Sequence, residues 1–227
     1  MMHLCFILPQ MINLTIHGIG TPVRQLEDGE ETVWLNEDAI HSILDRLIHY
    51  KEYTITVDDA NQSDADILLP ALLSRGLKAI FFISAGFLGR KGYLTKEQVN
   101  IISRAGMEIG THGMFHRDLR GLNHSHLNSE IYESKYILQE ITGEQVKKIS
   151  CPLGSYDRRV LRYLRNADFD KVYTSDRGLA KADWWIQPRN SFHNTDNMQT
   201  LSLIMTQPHS LRDSFISRTK RLIKRLR

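Results

Sequence analysis

The chain has 227 residues, of which 41% are hydrophobic and 24% are charged. This length fits one domain with a sizeable core, and the composition is ordinary for a globular protein. The formal net charge of +3 gives no reason to expect nucleic acid as a partner. Two cysteines, Cys5 and Cys151, cannot form a disulfide framework, so reduced thiols in the cytoplasm are the simpler interpretation.

The N-terminal segment, residues 1–11, is briefly apolar but has neither a basic beginning nor a cleavage site of small residues. It is too short to span a bilayer, and we find no transmembrane segment elsewhere in the sequence. Met11 opens a phrase that looks like a more natural beginning, so we interpret residues 1–11 as a start-site extension. Without a signal peptide, we expect a cytoplasmic location.

Short β-rich runs alternate with helical patterns along the chain, which is typical of βα units around a parallel sheet. Strands are predicted at residues 14–17, 53–57, 78–84, 107–110, 147–151, 171–174 and 185–187. Helices are predicted between them, with boundaries marked by Asn36, the capping box of Thr95 and Gln98, Gly143 and Asp157. Six or seven such units in one domain favour a barrel over an open sheet, with the chemistry at the C-terminal ends of the strands.

Chemically competent side chains stand where several of these strands end. Asp58 and Asp59 follow the second strand, while His112 follows a later strand and His116 comes four residues after it. The four-residue spacing predicts that both imidazoles lie on one side of a helical turn. Two imidazoles and one carboxylate can hold a divalent ion and leave positions open for water and substrate. A second carboxylate beside the ion could remove a proton from that water.

Three phrases in this order, ITVDDANQSD, GTHGMFH and CPLGSYD, resemble the first three motifs of the polysaccharide deacetylases (carbohydrate esterase family 4, NodB homology). We assign residues 12–208 to such a domain. The resemblance implies a single-domain α/β fold, a distorted (β/α) barrel of about seven units. It also implies a metal-dependent hydrolase that removes N-acetyl groups from an amino-sugar polysaccharide or its precursor, so the expected partner is an N-acetylated glycan.

The resemblance further implies a role for each matched residue. Asp58 corresponds to the general base, while Asp59, His112 and His116 correspond to the ligands of a divalent metal ion, for which zinc is the expected identity. The loop that begins at Pro152 corresponds to a substrate-binding loop, whose Leu153 backbone N–H would help to hold the oxyanion. The residues expected at the substrate site are Pro152, Leu153, Gly154, Tyr156 and Arg189.

The chain departs from the family's pattern at three positions. The family's TFDDG is replaced by TVDDA, which loses an aromatic residue at Val57 and a glycine at Ala60. If that glycine adopts a positive φ, then Ala60 must do the same at a steric cost. Ser150 stands where the family carries an arginine that orients the base. Arg189 could supply the missing guanidinium, and the alternative is that it is an ordinary surface arginine.

The general acid is expected to be a histidine, and two are candidates. His17 ends the first strand and resembles the YH phrase at the beginning of circularly permuted family members. His209 lies in the region of the family's last motif but beside a predicted helix start. We favour His17, because the next strand in sequence leads to Asp58 and neighbouring parallel strands end side by side. The alternative for His17 is a strand-end histidine that bonds a loop.

Residues 209–227 predict a basic amphipathic helix with leucine and phenylalanine side chains on one stripe. The simpler interpretation is that this stripe packs on the domain. The alternative is peripheral contact with an anionic membrane surface or an acidic glycan.

Two other functions stay open at this point. One is a degenerate sugar-binding member without catalysis, which Val57, Ala60 and Ser150 favour. The other is a metal-dependent esterase or amidase that acts on a different substrate. The intact set of two aspartates and two histidines favours an enzyme.

Overall fold

The computed structural model describes residues 10–206 and 222–224. A curved parallel sheet forms its centre, and six strands pair there in sequence order. They are β1 (Gln10–Ile16), β2 (Tyr53–Val57), β3 (Ala79–Ile83), β4 (Glu108–Thr111), β5 (Lys148–Ser150) and β6 (Lys171–Thr174). A short strand, β7 (Ala180–Lys181), runs antiparallel to the beginning of β1.

A single extended segment nearly closes the sheet into a barrel. Its first part, β8 (Ile186–Pro188), pairs parallel with β6, and its second part, β9 (Asn190–Ser191), pairs parallel with β1. Arg189 is the one residue between the two parts and therefore lies where the two edges of the sheet meet. Counting this segment as one strand gives seven parallel strands, so the predicted barrel of about seven units is confirmed.

Helices flank the barrel on its outer side. They are α1 (Glu37–Leu47), α2 (Leu69–Leu73), α3 (Lys96–Arg104), α4 (His124–Asn128), α5 (Ser134–Thr142), α6 (Arg158–Asn166) and α7 (Met198–Thr206). The predicted boundaries are confirmed, because Asn36 and Asp157 cap their helices, Thr95 and Gln98 form a reciprocal capping box, and Gly143 ends α5 in the left-handed region. Single π-helical turns at Asp64–Leu68 and Ser129–Glu133 precede α2 and α5.

The apolar run of β3 explains why the barrel has a filled interior. All five of its residues are buried, as expected for a strand that is covered on both faces. Phe81 and Ile83 belong to the main core, whereas Ile80 and Phe82 form a separate cluster with Tyr173 of β6. The Phe82 and Tyr173 rings lie 5.0 Å apart between their centroids. These side chains fill the space below the polar groups at the C-terminal ends of the strands.

Both ends of the domain carry assignments made from the sequence. Residues 1–9 lie outside the described residues, while Gln10 and Met11 form the first part of β1 and pair with β7. Of residues 209–227, only residues 222–224 are described, and they are helical with Leu222 and Ile223 exposed. Lys224 Nζ donates to Asp176 Oδ1 at 2.6 Å and to the Gly154 carbonyl at 3.0 Å. Within the described ranges, no helix has the length and apolar character needed to cross a membrane.

The buried side-chain amide of Asn190 links the segment that closes the barrel to neighbouring backbone, and this gives the first prediction. Asn190 Nδ2 donates to the carbonyls of Asn13 and Gly178 at 3.3 and 3.1 Å, and its Oδ1 accepts from the Gly178 N–H at 3.0 Å. Asn190→Ala leaves the buried Gly178 N–H unpaired, so we expect the free energy of unfolding in urea to fall by about 2 kcal/mol. Asn100→Ala, in the half-buried part of α3, is the control and should change it by less than about 0.5 kcal/mol. Equal effects of the two substitutions would contradict this role of Asn190.

Candidate active site

Asp58 lies at the centre of the C-terminal end of the barrel. It directly follows β2, its backbone N–H donates to the Ile16 carbonyl of β1 at 3.1 Å, and only 2% of the residue is exposed. Side chains of the strand alternate between the two faces, so Thr56 and Asp58 point into the barrel while Val57 packs in the main core. The fold therefore places one carboxylate in the barrel interior, away from solvent.

Arg189 binds this carboxylate through both of its terminal nitrogens. Nη1 donates to Asp58 Oδ1 at 2.6 Å, and Nη2 donates to Oδ2 at 2.7 Å. Ser150 Oγ accepts from Nη2 at 2.6 Å and donates to Asp58 Oδ2 at 3.3 Å. Arg189 is 2% exposed, so the alternative of a surface arginine does not hold. The guanidinium thus comes from the closing strand segment and contacts the small side chain that replaces the family's arginine.

Burial and ion pairing act in opposite directions on Asp58. Burial alone would raise the pKa of its carboxyl, but the charge of Arg189, the nearby histidines and the two hydrogen bonds hold the pKa below its ordinary value. Asp58 is therefore a carboxylate at neutral pH, and both of its oxygens are engaged by Arg189.

Asp59 occupies a tight turn directly after Asp58. Asp59 and Ala60 have φ values of 81° and 66°, so two consecutive L-residues adopt the left-handed region. Alanine in place of glycine at position 60 therefore strains the backbone, and surrounding contacts must stabilise this conformation. Burial raises the pKa of the Asp59 carboxyl, but hydrogen bonding with His112 and the charges of His17 and His116 outweigh this and lower it. Its charged form is the form that binds cations.

His112 and His116 belong to a loop, so the prediction of a helical turn is wrong. Gly113 and His116 have φ values of 83° and 53°, which no regular helix allows. Glu130, which is fully buried, accepts the backbone N–H groups of Met114 and Phe115 at 2.7 and 3.0 Å. This carboxylate takes the place of helical hydrogen bonds in holding the loop. Sequence reasoning missed Glu130, because its role depends on contact with a loop 15 residues away.

The three predicted metal ligands converge on one point. His112 Nε2 lies 3.4 Å from Asp59 Oδ1, and His116 Nε2 lies 3.7 Å from the same oxygen. One ligand atom from each of the three residues lies within 4.8 Å of the others. His112 Nδ1 is 2.9 Å from the Ser150 carbonyl, so Nδ1 donates its proton to that oxygen and Nε2 faces the cluster, where it can bind an ion once it has lost its own proton. This donor set and ring orientation fit a divalent ion.

His17 lies beside the two aspartates, as expected from the strand order. It directly follows β1, whose last residue Ile16 pairs in register with Val57 of β2. His17, Asp58 and Asp59 line the same cavity, whose volume is about 170 Å³. The buried Nδ1 of His17 has no hydrogen-bond partner among the described residues, so the alternative of a histidine bonded to a loop through this atom finds no support there. His209 lies outside the described residues.

Of the five residues expected at the substrate site, Leu153 alone lines this cavity in the described part of the chain. It is 64% exposed and has a φ of 57°. Pro152 and Gly154 are buried beside it, and Tyr156 is buried with its hydroxyl donating to Asp176 Oδ2 at 2.7 Å. Tyr156 bonds to Asp176 and Arg189 bonds to Asp58, so both side chains stabilise the surroundings of the cavity instead of facing into it.

The cavity has further walls that the sequence did not predict. Segments that follow β1 and β3 supply Arg24, Glu30, Phe87 and Tyr93. Cys151 also reaches the cavity, but burial raises the pKa of its thiol to about 12. It is therefore not a thiolate at neutral pH, and nucleophilic cysteine chemistry is not supported.

The family model for polysaccharide deacetylases matches residues 49–172, which is more than half of the chain. The chain therefore belongs to the polysaccharide deacetylase family. YxkH of Bacillus subtilis (strain 168), a candidate polysaccharide deacetylase, is 27% identical over 157 residues, which are 69% of this chain and 56% of YxkH. The chain thus spans little more than half of that relative. YheN of the same strain, also a candidate polysaccharide deacetylase, is 26% identical over 212 residues, covering 87% of this chain and 73% of YheN.

Solved structures share the fold. BA0330 of Bacillus anthracis, a candidate polysaccharide deacetylase, matches with a TM-score of 0.78 and 16% identity, covering 88% of this chain and 70% of BA0330. The deacetylase PplD of Streptococcus pyogenes, solved in complex with acetate, matches with a TM-score of 0.77 and 19% identity, covering 88% of this chain and 100% of the solved PplD chain. These similarities agree with the (β/α) barrel.

The buried Asp58–Arg189 pair gives a prediction about stability. Arg189→Met leaves a buried carboxylate without its partner, so we expect the free energy of unfolding at pH 7 to fall by about 3–5 kcal/mol. Asp58→Asn combined with Arg189→Met removes that charge and should recover much of the loss. The folded pKa of Asp58 is lowered, so the pair stabilises the wild type above the ordinary Asp pKa of about 3.9, and this contribution is lost as pH falls below it.

Urea denaturation between pH 3 and pH 7 measures both effects. The deficit of Arg189→Met relative to wild type should shrink as the pH is lowered, because protonated Asp58 no longer needs its partner. A deficit that is independent of pH, or a double variant that is no better than Arg189→Met, would contradict the assignment.

Proposed function

We propose that the protein is a metal-dependent deacetylase that hydrolyses the N-acetyl groups of an amino-sugar polysaccharide or its precursor. The observation that carries this proposal is the convergence of Asp59, His112 and His116 on one point. Beside this cluster lies a second carboxylate, Asp58, which forms an ion pair with Arg189. Three ligands and a separate base are what metal-assisted hydrolysis requires. Membership of the polysaccharide deacetylase family supports the substrate class.

Asp59, His112 and His116 are the residues that would hold the ion. A divalent ion, for which we propose zinc, would polarise the acetyl carbonyl and make water a better nucleophile at neutral pH. The Ser150 carbonyl fixes the ring of His112 with Nε2 toward the cluster, so the ring is oriented before an ion binds.

Asp58 is proposed as the general base. Arg189 engages both of its carboxylate oxygens, which keeps the group charged and in place, and the second lone pair of Oδ1 stays available for a proton. Its Oδ2 is 3.5 Å from His112 Nε2, so it lies beside the ligand cluster. From there Asp58 would accept the proton of the attacking water.

Two further groups are proposed to act on the substrate itself. The backbone N–H of Leu153, at the exposed turn of its loop, would donate to the carbonyl oxygen as negative charge develops there. His17 would protonate the departing nitrogen, because an amine is a poor leaving group until it is protonated. Phe87 and Tyr93 in the cavity wall offer apolar faces to a sugar ring.

The ligand set gives the next prediction. His112→Ala and His116→Ala should each lose zinc, measured by metal analysis after dialysis, and should lose acetate release from N-acetylglucosamine oligomers. Asp58→Asn should keep the zinc and lower turnover by about 10² to 10⁴. Full zinc occupancy in the double histidine variant would contradict the ligand set.

The same assays separate the alternatives. Zinc binding by the wild type without acetate release from amide or ester would favour a sugar-binding protein without catalysis. Release from acetyl esters alone would favour an esterase. Zinc loss in Asp58→Asn with normal activity per bound ion would exchange the proposed roles of the two aspartates.

The general acid gives a prediction that depends on the substrate. His17→Ala should keep the fold and the zinc but lose most activity on an N-acetyl amide. It should lose much less on an acetyl ester whose alcohol leaves without protonation, since the missing group acts on the leaving group alone. His209→Ala is the control and should stay close to wild type on both substrates. Equal losses of His17→Ala on amide and ester, or a larger loss from His209→Ala, would show that the acid is elsewhere.

A further inference from the structure

The strained turn at Asp59 and Ala60 is held from outside by main-chain contacts. The Ala60 carbonyl accepts from the Leu94 N–H at 2.9 Å, and the Gln62 N–H donates to the Gly92 carbonyl at 2.9 Å. Between these two bonds lies Asn61, whose side chain is completely buried. A turn that the sequence disfavours therefore depends on the loop of residues 92–94 that lies alongside it.

Arg24 binds the centre of this arrangement. Its Nη2 and Nε donate to Asn61 Oδ1 at 2.8 and 3.3 Å, and its guanidinium lies 4.6 Å from the ring centroid of Tyr93. Both terminal nitrogens also contact the carboxylate of Glu30, and the Nη1 bond is 2.9 Å long. A Cβ added to Gly92 would lie 2.8 Å from Arg24 Cβ, so the loop and the arginine pack against each other directly.

Arg24 lines the cavity, but its donors are already engaged. Besides Asn61 and Glu30, it donates from Nη1 to the Gln25 carbonyl at 3.1 Å, and only 8% of its side chain is exposed. Its charge is balanced by Glu30, and its planar group is stacked beside aromatic rings. These contacts fit a residue that fixes the shape of the site better than one that receives an anionic substrate group.

We propose that Arg24 is the positioning residue for the metal ligand Asp59, acting through Asn61. The left-handed residues destabilise the turn, and the contacts that involve Arg24 offset this cost. Without Arg24 the turn would relax, and Asp59 would move away from His112 and His116. This inference rests on the proposed function for the role of Asp59 as a ligand. The hold of Arg24 on the turn can be measured without any metal.

The test measures zinc affinity of the full chain by competition with a chelator. Arg24→Met should weaken zinc binding by about 10- to 100-fold, as is typical when a residue that orients a ligand is lost. Arg24→Lys keeps the charge but loses the planar fork, so its loss should be intermediate. Adding Ala60→Gly to Arg24→Met should restore much of the affinity, because glycine adopts the left-handed region without strain. Arg75→Met, which removes an arginine paired with Asp45 away from the cavity, should bind zinc like the wild type.

Amide hydrogen exchange of the metal-free protein supplies the second measurement. The Gln62 and Leu94 amides, which bond across the turn, should exchange faster in Arg24→Met, while the His112 amide on the Ile83 carbonyl should stay protected. Wild-type zinc affinity together with unchanged exchange in Arg24→Met would overturn the proposal. Failure of Ala60→Gly to restore any affinity would overturn the role of strain. If Arg24→Met does not fold, wild-type affinity and exchange in Arg24→Lys would overturn it instead.

Absence of zinc binding in the wild type is a different outcome. It would refute the proposed function, whereas the exchange rates at Gln62 and Leu94 would still decide whether Arg24 holds the turn.

Discussion

The structure of the site depends on the buried ion pair between Asp58 and Arg189. The two residues are 131 positions apart in the chain: Asp58 directly follows the second strand, and Arg189 lies in the segment that closes the barrel. A buried carboxylate without a partner would be expensive, so the barrel must close for Asp58 to be charged. Closure of the fold and ionisation of the proposed base are therefore coupled.

The ion pair also gives the two adjacent aspartates different surroundings. Asp58 is paired with a rigid guanidinium, whereas Asp59 faces two imidazoles. Identical side chains one residue apart thus meet different surroundings, which is how neighbouring carboxylates acquire different roles. The left-handed backbone at Asp59 and Ala60 forms the tight turn that follows Asp58.

The proposed ligands come from two irregular loops. Each loop is stabilised by hydrogen bonds to a largely buried charged residue. Glu130 accepts the amides of the loop that carries His116, and Arg24 binds Asn61 next to the turn that carries Asp59. Buried charges of this kind are costly in isolation, and they are stable here because hydrogen bonds satisfy them. Both of these charged residues come from helices or loops outside the barrel strands. The proposed metal site thus depends on packing around the barrel as well as on the strand ends.

Much of this arrangement could be predicted from the sequence. The strands, the helix caps and the order of Asp58, Asp59, His112 and His116 follow from local patterns, because each depends on residues close in the chain. The pairing of Arg189 with Asp58 was one of two alternatives, since contact across 131 residues depends on how the barrel closes. The loop at His116 was wrongly predicted as helical, because spacing alone does not reveal the positive φ values or the distant Glu130 that stabilises them.

Arg24 gave no signal in the sequence, because its significance depends on a turn that lies 37 residues away. Ala60 gave a partial signal, since a missing glycine indicates a strained backbone but does not indicate which contacts stabilise it. The general lesson from these residues is that strand ends locate chemistry, whereas the contacts that orient it are set by tertiary packing.

A crystal structure of the protein soaked with Zn²⁺, with the ion located by anomalous scattering, would distinguish the proposed roles of the two aspartates. We expect the ion to contact Asp59, His112 and His116, and Asp58 to keep both of its bonds to Arg189. An ion bound by Asp58, with Arg189 displaced, would contradict the division of roles between the two aspartates.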